Sequence, residues 1–225
     1  MQQVLVYSDS LSWGIIPLTR DRFAFHQRWP GIAELALNAR RLSVRVIEDC
    51  LNGRRTVWDD PFRPGRNGQQ GLAQRIEVHS PLALAVLMLG TNDFQSMHQY
   101  TVWHSAQGIA CLVNTIRQAP LEPGMPIPPI LVIAPPPLGT PKGPIAPKFE
   151  GAEIKSAGLA KAYQQMCEEL GCDFFDASSV TTSSAVDGVH LDLDQHLALG
   201  LAVADKIAEI LTTHGAAINS NLKLS

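Results

Sequence analysis

Leu84-Ala85-Val86-Leu87-Met88-Leu89-Gly90-Thr91-Asn92-Asp93 is the stretch on which the fold turns. Its first six residues are apolar without a break. A strand with one wet face alternates apolar with polar residues, so an unbroken run of this length reads as a strand covered on both faces, central in its sheet. The glycine and small polar residues that follow predict a turn at its carboxyl end.

Four more strand-like runs lie around it: Val4 to Tyr7, Val44 to Ile47, Ile130 to Ala134 and Asp173 to Phe175. Between the strands, Trp29 to Ala39, Leu72 to Val78, Val102 to Gln118, Ile154 to Leu170 and Gln195 to Thr212 carry apolar residues at helical spacing. This alternation predicts an α/β fold, a parallel sheet sandwiched by helices. In the last helix Leu197, Leu201, Ala204, Ile207, Ala208 and Leu211 form a stripe expected to face the core. We read a single domain over residues 1–214, with residues 215–225 as an aperiodic C-terminal tail that frays.

The 225 residues suffice for one sizeable core, and no repeat or linker divides them. A hydrophobic fraction of 45% and a charged fraction of 17% match an ordinary soluble globular protein. The net charge of −3 and the absence of a basic run argue against nucleic acid as a partner. No apolar run reaches membrane-spanning length, and Met1-Gln2-Gln3-Val4 enters a strand without a signal-peptide pattern. A cytoplasmic location away from membranes is therefore expected. Cys50, Cys111, Cys167 and Cys172 lack metal-site spacing and read as reduced, mostly buried thiols. Asp60, His79, Asp93, His98 and His104 are scattered over separate elements, so neither a metal nor a cofactor is expected.

Four clusters follow one another along the chain: Asp9-Ser10-Leu11, Asn52-Gly53, Gly90 to Asp93, and Asp187-Gly188-Val189-His190. Acyl transfer needs a nucleophile, a base, a group that orients the base, and donors for an oxyanion. Ser10 at the end of the first strand can be the nucleophile, although a cap serine or a phosphate-binding turn would use the same position. Asp187 and His190, three apart in a turn, let the carboxylate hold one ring nitrogen while the other takes the serine proton; an Asp-Gly turn with a surface histidine is the plainer alternative. The Gly53 amide and the Asn92 side chain can join the Ser10 amide around a developing negative oxygen. Each could equally be a turn glycine or a helix cap. Two irregular segments, Arg54 to Gly68 and Pro135 to Gly151, follow strands and are candidate walls of the crevice.

On these residues the chain resembles the SGNH (GDSL-type) hydrolases, whose four sequence blocks the clusters match. Asp9-Ser10-Leu11-Ser12-Trp13-Gly14, Met88 to Asp93, Pro135-Pro136-Pro137-Leu138, Phe149-Glu150-Gly151 and Phe174-Phe175-Asp176-Ala177 resemble its arylesterase and acyltransferase branch. The resemblance implies a three-layer α/β/α flavodoxin-like sandwich with a five-stranded parallel sheet. It implies Ser10 as nucleophile, His190 as base, Asp187 as orienter, and Ser10, Gly53 and Asn92 as the oxyanion hole. The chain departs from the family at Ser8, where a glycine is usual, and this extra side chain must occupy space that relatives leave empty. Val189 and Ile15 also depart from residues common in the branch.

The expected activity is hydrolysis of short-chain acyl esters through an acyl-enzyme, with transfer to alcohols or peroxide in competition. The expected partners are a small-molecule ester and an alcohol acceptor, and a homo-oligomer fits Trp103 and the proline-rich loops. Trp13, Ile15, Phe94, Ile145, Phe149 and Val189, near strand ends, are the candidate acyl-pocket residues. The rival readings are a thioesterase or lysophospholipase with the same triad, and a non-catalytic flavodoxin-like binding module.

Overall fold

The computed structural model describes residues 1–213. Five parallel strands, β1 (Gln2–Ser8), β2 (Val44–Cys50), β3 (Leu84–Met88), β4 (Ile130–Ala134) and β5 (Asp173–Asp176), form one sheet in the order β2-β1-β3-β4-β5. That is the flavodoxin-like order, with its switch point between β1 and β3. β3 is central and buried at every position, which is why its sequence shows no alternation.

Successive strand residues point to opposite faces and divide the core in two. Leu5, Tyr7, Ala85, Leu87, Val132 and Ala134 pack beneath the helices α3 (Leu72–His79), α4 (Val102–Arg117) and α7 (Leu159–Leu170). Val4, Val6, Leu84, Val86, Leu131 and Ile133 pack beneath α2 (Trp29–Ala39) and α8 (Leu193–Asn221, described as far as Thr213). Short helices α1 (Ser10–Trp13), α5 (Ala146–Phe149) and α6 (Ala152–Lys155) lie in the loops. Helices α2 and α8 meet at Gly200, where a Cβ would stand 2.9 Å from the Trp29 carbonyl oxygen and 2.7 Å from Ile32 Cβ. Only glycine allows that approach.

Three expectations need correction. The helix read as Ile154 to Leu170 is broken between Lys155 and Leu159, where Gly158 takes the left-handed conformation at φ +87. The stripe on the last helix is rotated: Leu197 and Leu201 are 49% and 44% exposed, while Leu199, Val203, Ala204, Ile207, Ile210 and Leu211 face the sheet. Of the four free cysteines only Cys167 is buried, and Cys111 is exposed. The expected tail, residues 215–225, lies outside the described residues. Among the described residues no helix is long and apolar enough to cross a membrane.

Candidate active site

All the parallel strands end on one edge of the sheet, and the residues that follow β1, β2 and β3 meet there. Ser10 is the first residue of α1, not its cap. The cap is Asp9, whose Oδ1 accepts the Leu11 amide at 2.9 Å, so the Ser10 hydroxyl has no capping duty. Among the described residues no group accepts from the backbone amides of Ser10 and Gly53. Gly53 turns the chain after β2 at φ +85.

Asn92 sits in a 3-10 turn (Thr91–Phe94) directly after β3. The turn begins at Gly90, φ +121, where a Cβ would fall 2.3 Å from the Tyr163 hydroxyl, so a side chain is excluded twice over. Asn92 is pinned on both sides. Its Nδ2 donates to Asp9 Oδ2 at 2.9 Å and to the Arg54 carbonyl at 3.2 Å, and its Oδ1 accepts from Gln95 Nε2 at 2.8 Å.

The segment before α8 folds back through Asp187. One carboxylate oxygen accepts the amides of Val189 and His190, each at 2.9 Å, and the other lies 2.6 Å from His190 Nδ1. Burial opposes ionisation of Asp187, but the His190 ring and the two amides outweigh it and hold its carboxyl below the usual range. Both side chains are buried, at 2% and 4% residue exposure. With Nδ1 engaged, Nε2 is the ring nitrogen free for proton transfer.

Ser10, Gly53, Asn92 and His190 line one pocket of about 20 Å³, together with Ile15, Ile145 and Phe149. A second hollow of about 290 Å³ adjoins it, sharing Ile15, Arg20, Ile145, Lys148 and His190 and adding Asp187. Residues from near the two ends of the chain thus meet. The other expected pocket residues lie elsewhere. Trp13 carries the Arg22 guanidinium over its ring at 4.7 Å, and Val189 is in the core. Phe94 lines a separate cavity of about 540 Å³ beside Pro135 to Leu138.

Beneath the pocket lie two buried carboxyls. Asp9 is pushed up to about 7 because burial outweighs the bonds from Leu11 and Asn92 and the charge of Arg54. Asp93 is raised for the same reason, although Thr56 and Ser105 donate to it at 2.7–3.0 Å. Arg54 buttresses the floor: it donates to the Ser8 carbonyl at 2.9 Å, pairs with Asp49 at 2.7 Å, and lies 3.8 Å over the Tyr7 ring. The sequence reading singled out neither Arg54 nor the pocket residues Arg20, Arg63 and Lys148. Arg54 and Arg63 belong to an arginine-rich segment at the end of β2, which is a signal the sequence carries; Arg20 and Lys148 lie in other segments and carry none. Among the described residues no group of three His, Cys, Asp or Glu side chains could hold a metal ion.

Fold and site together define a class, the carboxylic ester hydrolases of α/β/α build. A family model for GDSL-like lipases/acylhydrolases matches residues 9–199, and the chain belongs to that family. A native aryl esterase from M. smegmatis superposes with a TM-score of 0.88 at 34% identity, covering 93% of this chain and 100% of that one. A carbohydrate acetylesterase from Sinorhizobium meliloti gives a TM-score of 0.88 at 33% identity, again over 93% and 100% of the two chains. A carbohydrate acetylesterase family member from the same organism gives 0.88 at 37% identity, over 94% and 100%. No curated protein matches the sequence.

Proposed function

We propose that the chain is a serine esterase for short-chain acyl esters, with Ser10 as nucleophile, His190 as general base and Asp187 as its orienter. The observation that carries the reading is the pocket shared by Ser10, Gly53, Asn92 and His190, with the Asp187 carboxylate 2.6 Å behind the imidazole. Ser10 Oγ attacks the acyl carbonyl and passes its proton to His190 Nε2. His190 then protonates the departing alcohol oxygen as the carbonyl–oxygen bond breaks, leaving the acyl group on Ser10. Water repeats the sequence in reverse order and releases the acid.

The oxyanion would rest on the Ser10 and Gly53 amides and on Asn92 Nδ2, sharing or replacing the longer of the two Asn92 bonds, that to Arg54 at 3.2 Å. A space of about 20 Å³ is about that of one water or methyl group, which supports acetyl as the acyl group. Transfer to alcohols or peroxide in competition with water belongs to the same reading, with Ile15, Ile145 and Phe149 as the apolar part of a wall that also carries Arg20, Arg63 and Lys148. The same reading takes the protein as a homo-oligomer with Trp103, 63% exposed, at a subunit contact. A monomer in light scattering removes that part.

The test uses p-nitrophenyl esters from acetate to decanoate, with Ser10→Ala and His190→Ala as variants. We expect acetate to be preferred, and each variant to lose at least about three orders of magnitude in kcat with its fold retained. Ethanol added to the wild type should divert acyl groups to ethyl ester. Activity surviving in Ser10→Ala, or a preference for decanoate, overturns the reading.

A further inference from the structure

Three cationic side chains, Arg20, Arg63 and Lys148, line the pocket that holds Ser10 and His190. Among the described residues none of the three forms an ion pair or donates a side-chain hydrogen bond. The neighbouring arginines are all engaged. Arg54 and Arg75 hold Asp49, Arg55 holds Asp60 at 2.9 Å, and Arg22 and Arg28 share Glu48. Arg66 donates to the carbonyls of Asn52 and Pro64.

This concentration of positive charge is not a property of the whole surface, because the chain carries a net charge of −3. The carboxyls around the pocket offer no relief: Asp187 is engaged by His190, Asp60 by Arg55, Asp9 by Leu11 and Asn92, and Asp93 by Thr56 and Ser105. Lys148 is half-buried, and its ammonium is pushed down by burial and by the charges of Arg63, Arg55 and Arg20, against the pull of Asp60. Charges held close together without partners at the mouth of a cleft raise the local concentration of an oppositely charged ligand.

The side of the cleft can be assigned. His190 must hand its proton to the leaving alcohol, so the hollow of about 290 Å³ against His190 and Asp187 receives the alcohol portion of the substrate. Arg20 and Lys148 line that hollow as well as the nucleophile's pocket. Resting on the esterase reading above, we propose that the preferred substrates are small esters whose alcohol portion carries a carboxylate, received by Arg20 and Lys148. A planar guanidinium meets a carboxylate through two parallel hydrogen bonds, and the ammonium adds a third donor. The apolar side chains of Ile15, Leu18 and Ile145 leave room between the charges for an aryl or short alkyl body.

The test compares 4-acetoxybenzoate with 4-acetoxybenzamide, a neutral ester of similar shape, each rate normalised to spontaneous hydrolysis. We expect kcat/KM to favour the carboxylate about five- to tenfold at low salt, with the preference shrinking toward one at about 0.5 M NaCl as the charges are screened. In Arg20→Gln/Lys148→Gln the ratio of the two substrates should approach one at every salt concentration. Equal normalised kcat/KM for the two esters in the wild type, or a preference that survives in the double variant, overturns the proposal and leaves the esterase reading intact. Hydrolysis of neither ester overturns both.

Discussion

The Ser8 hydroxyl donates to the Met88 carbonyl at 2.6 Å, joining two residues paired in register across β1 and β3 just below the nucleophile turn. The side chain that replaces the family's glycine has therefore found a buried partner. Trp29 Nε1 donates to Ser12 Oγ at 2.9 Å, and with the Ser8 proton committed to Met88, Ser12 must donate to Ser8 across 2.5 Å. The chain runs from an indole on α2 to a carbonyl of the central strand, with no polar atom unpaired. Ser8→Gly breaks its last link and adds strand entropy to the unfolded state, so we expect a loss of about 2 kcal/mol, or a Tm lower by roughly 4–8 °C. An unchanged Tm would show that the chain contributes nothing.

Asp187→Asn separates orientation from folding. An asparagine Oδ1 can still accept the amides of Val189 and His190, as Asp187 Oδ1 does, so the turn should survive. Its Nδ2 would then face His190 Nδ1 and demand the opposite tautomer, which puts the ring proton on the nitrogen that must accept one from Ser10. The expected result is a kcat on p-nitrophenyl acetate lower by roughly 10³–10⁴, with a near-native circular dichroism spectrum. A loss of less than tenfold would remove Asp187 from the catalytic set.

Two buried groups pull stability in opposite directions as pH changes. Asp9 is raised to about 7, so between about 4 and 7 the folded state holds a proton that the unfolded state releases, and stability falls as pH rises. His196, whose Nδ1 accepts the Trp29 amide at 3.2 Å, is lowered to about 3 by burial and by the charges of Arg28 and His190. It stays neutral while the unfolded chain protonates below about 6.5, so its contribution rises with pH over nearly the same window. Asp187, with a depressed value, loses its contribution only below about 4. Urea unfolding at pH 5, 6 and 7 should therefore show a nearly flat wild type. Asp9→Ser keeps a capping oxygen and should gain stability with rising pH, and His196→Gln should lose it. Parallel profiles for all three proteins would contradict both assignments.

Much of this architecture is legible from periodicity alone, and the exceptions have physical causes. The unbroken apolar run of β3 marks the centre of the sheet, and the observed ranges of α2 and β4 match their apolar patterns residue for residue. Helix α8 has apolar residues on both sides of its buried face, so its pattern cannot choose between Leu197 with Leu201 and Leu199 with Val203. A buried histidine and Gly200 on the packed side weaken the signal further. At the site, Ser10, Gly53, Asn92 and His190 are legible because each follows a strand or precedes a helix. Trp13 and Phe94 also follow strands, and Val189 precedes α8, but which way a side chain points there depends on turn geometry that composition does not encode. Arg20, Arg63 and Lys148 lie in three separate loops, and only the topology brings them together.

Gly200→Ala sets two effects of known sign against each other. Alanine in a helix interior is favoured over glycine by about 1 kcal/mol. Against this, the new methyl would stand 2.7 Å from Ile32 Cβ and Cγ2 and 2.9 Å from the Trp29 carbonyl oxygen, atoms that cannot swing aside because they belong to a packed helix. Forced overpacking of this kind costs about 1–3 kcal/mol, and the contact with backbone places it at the upper end. We therefore expect a net loss of about 1–2 kcal/mol and a Tm lower by roughly 2–8 °C. Ile32→Ala removes the Cγ2 contact, so the double variant should lose less than the sum of the two single variants. Because α8 begins three residues after His190, a forced separation of α2 from α8 should also lower kcat. A variant as stable as the wild type would mean that the two helices part without cost and that Gly200 is not what sets their distance.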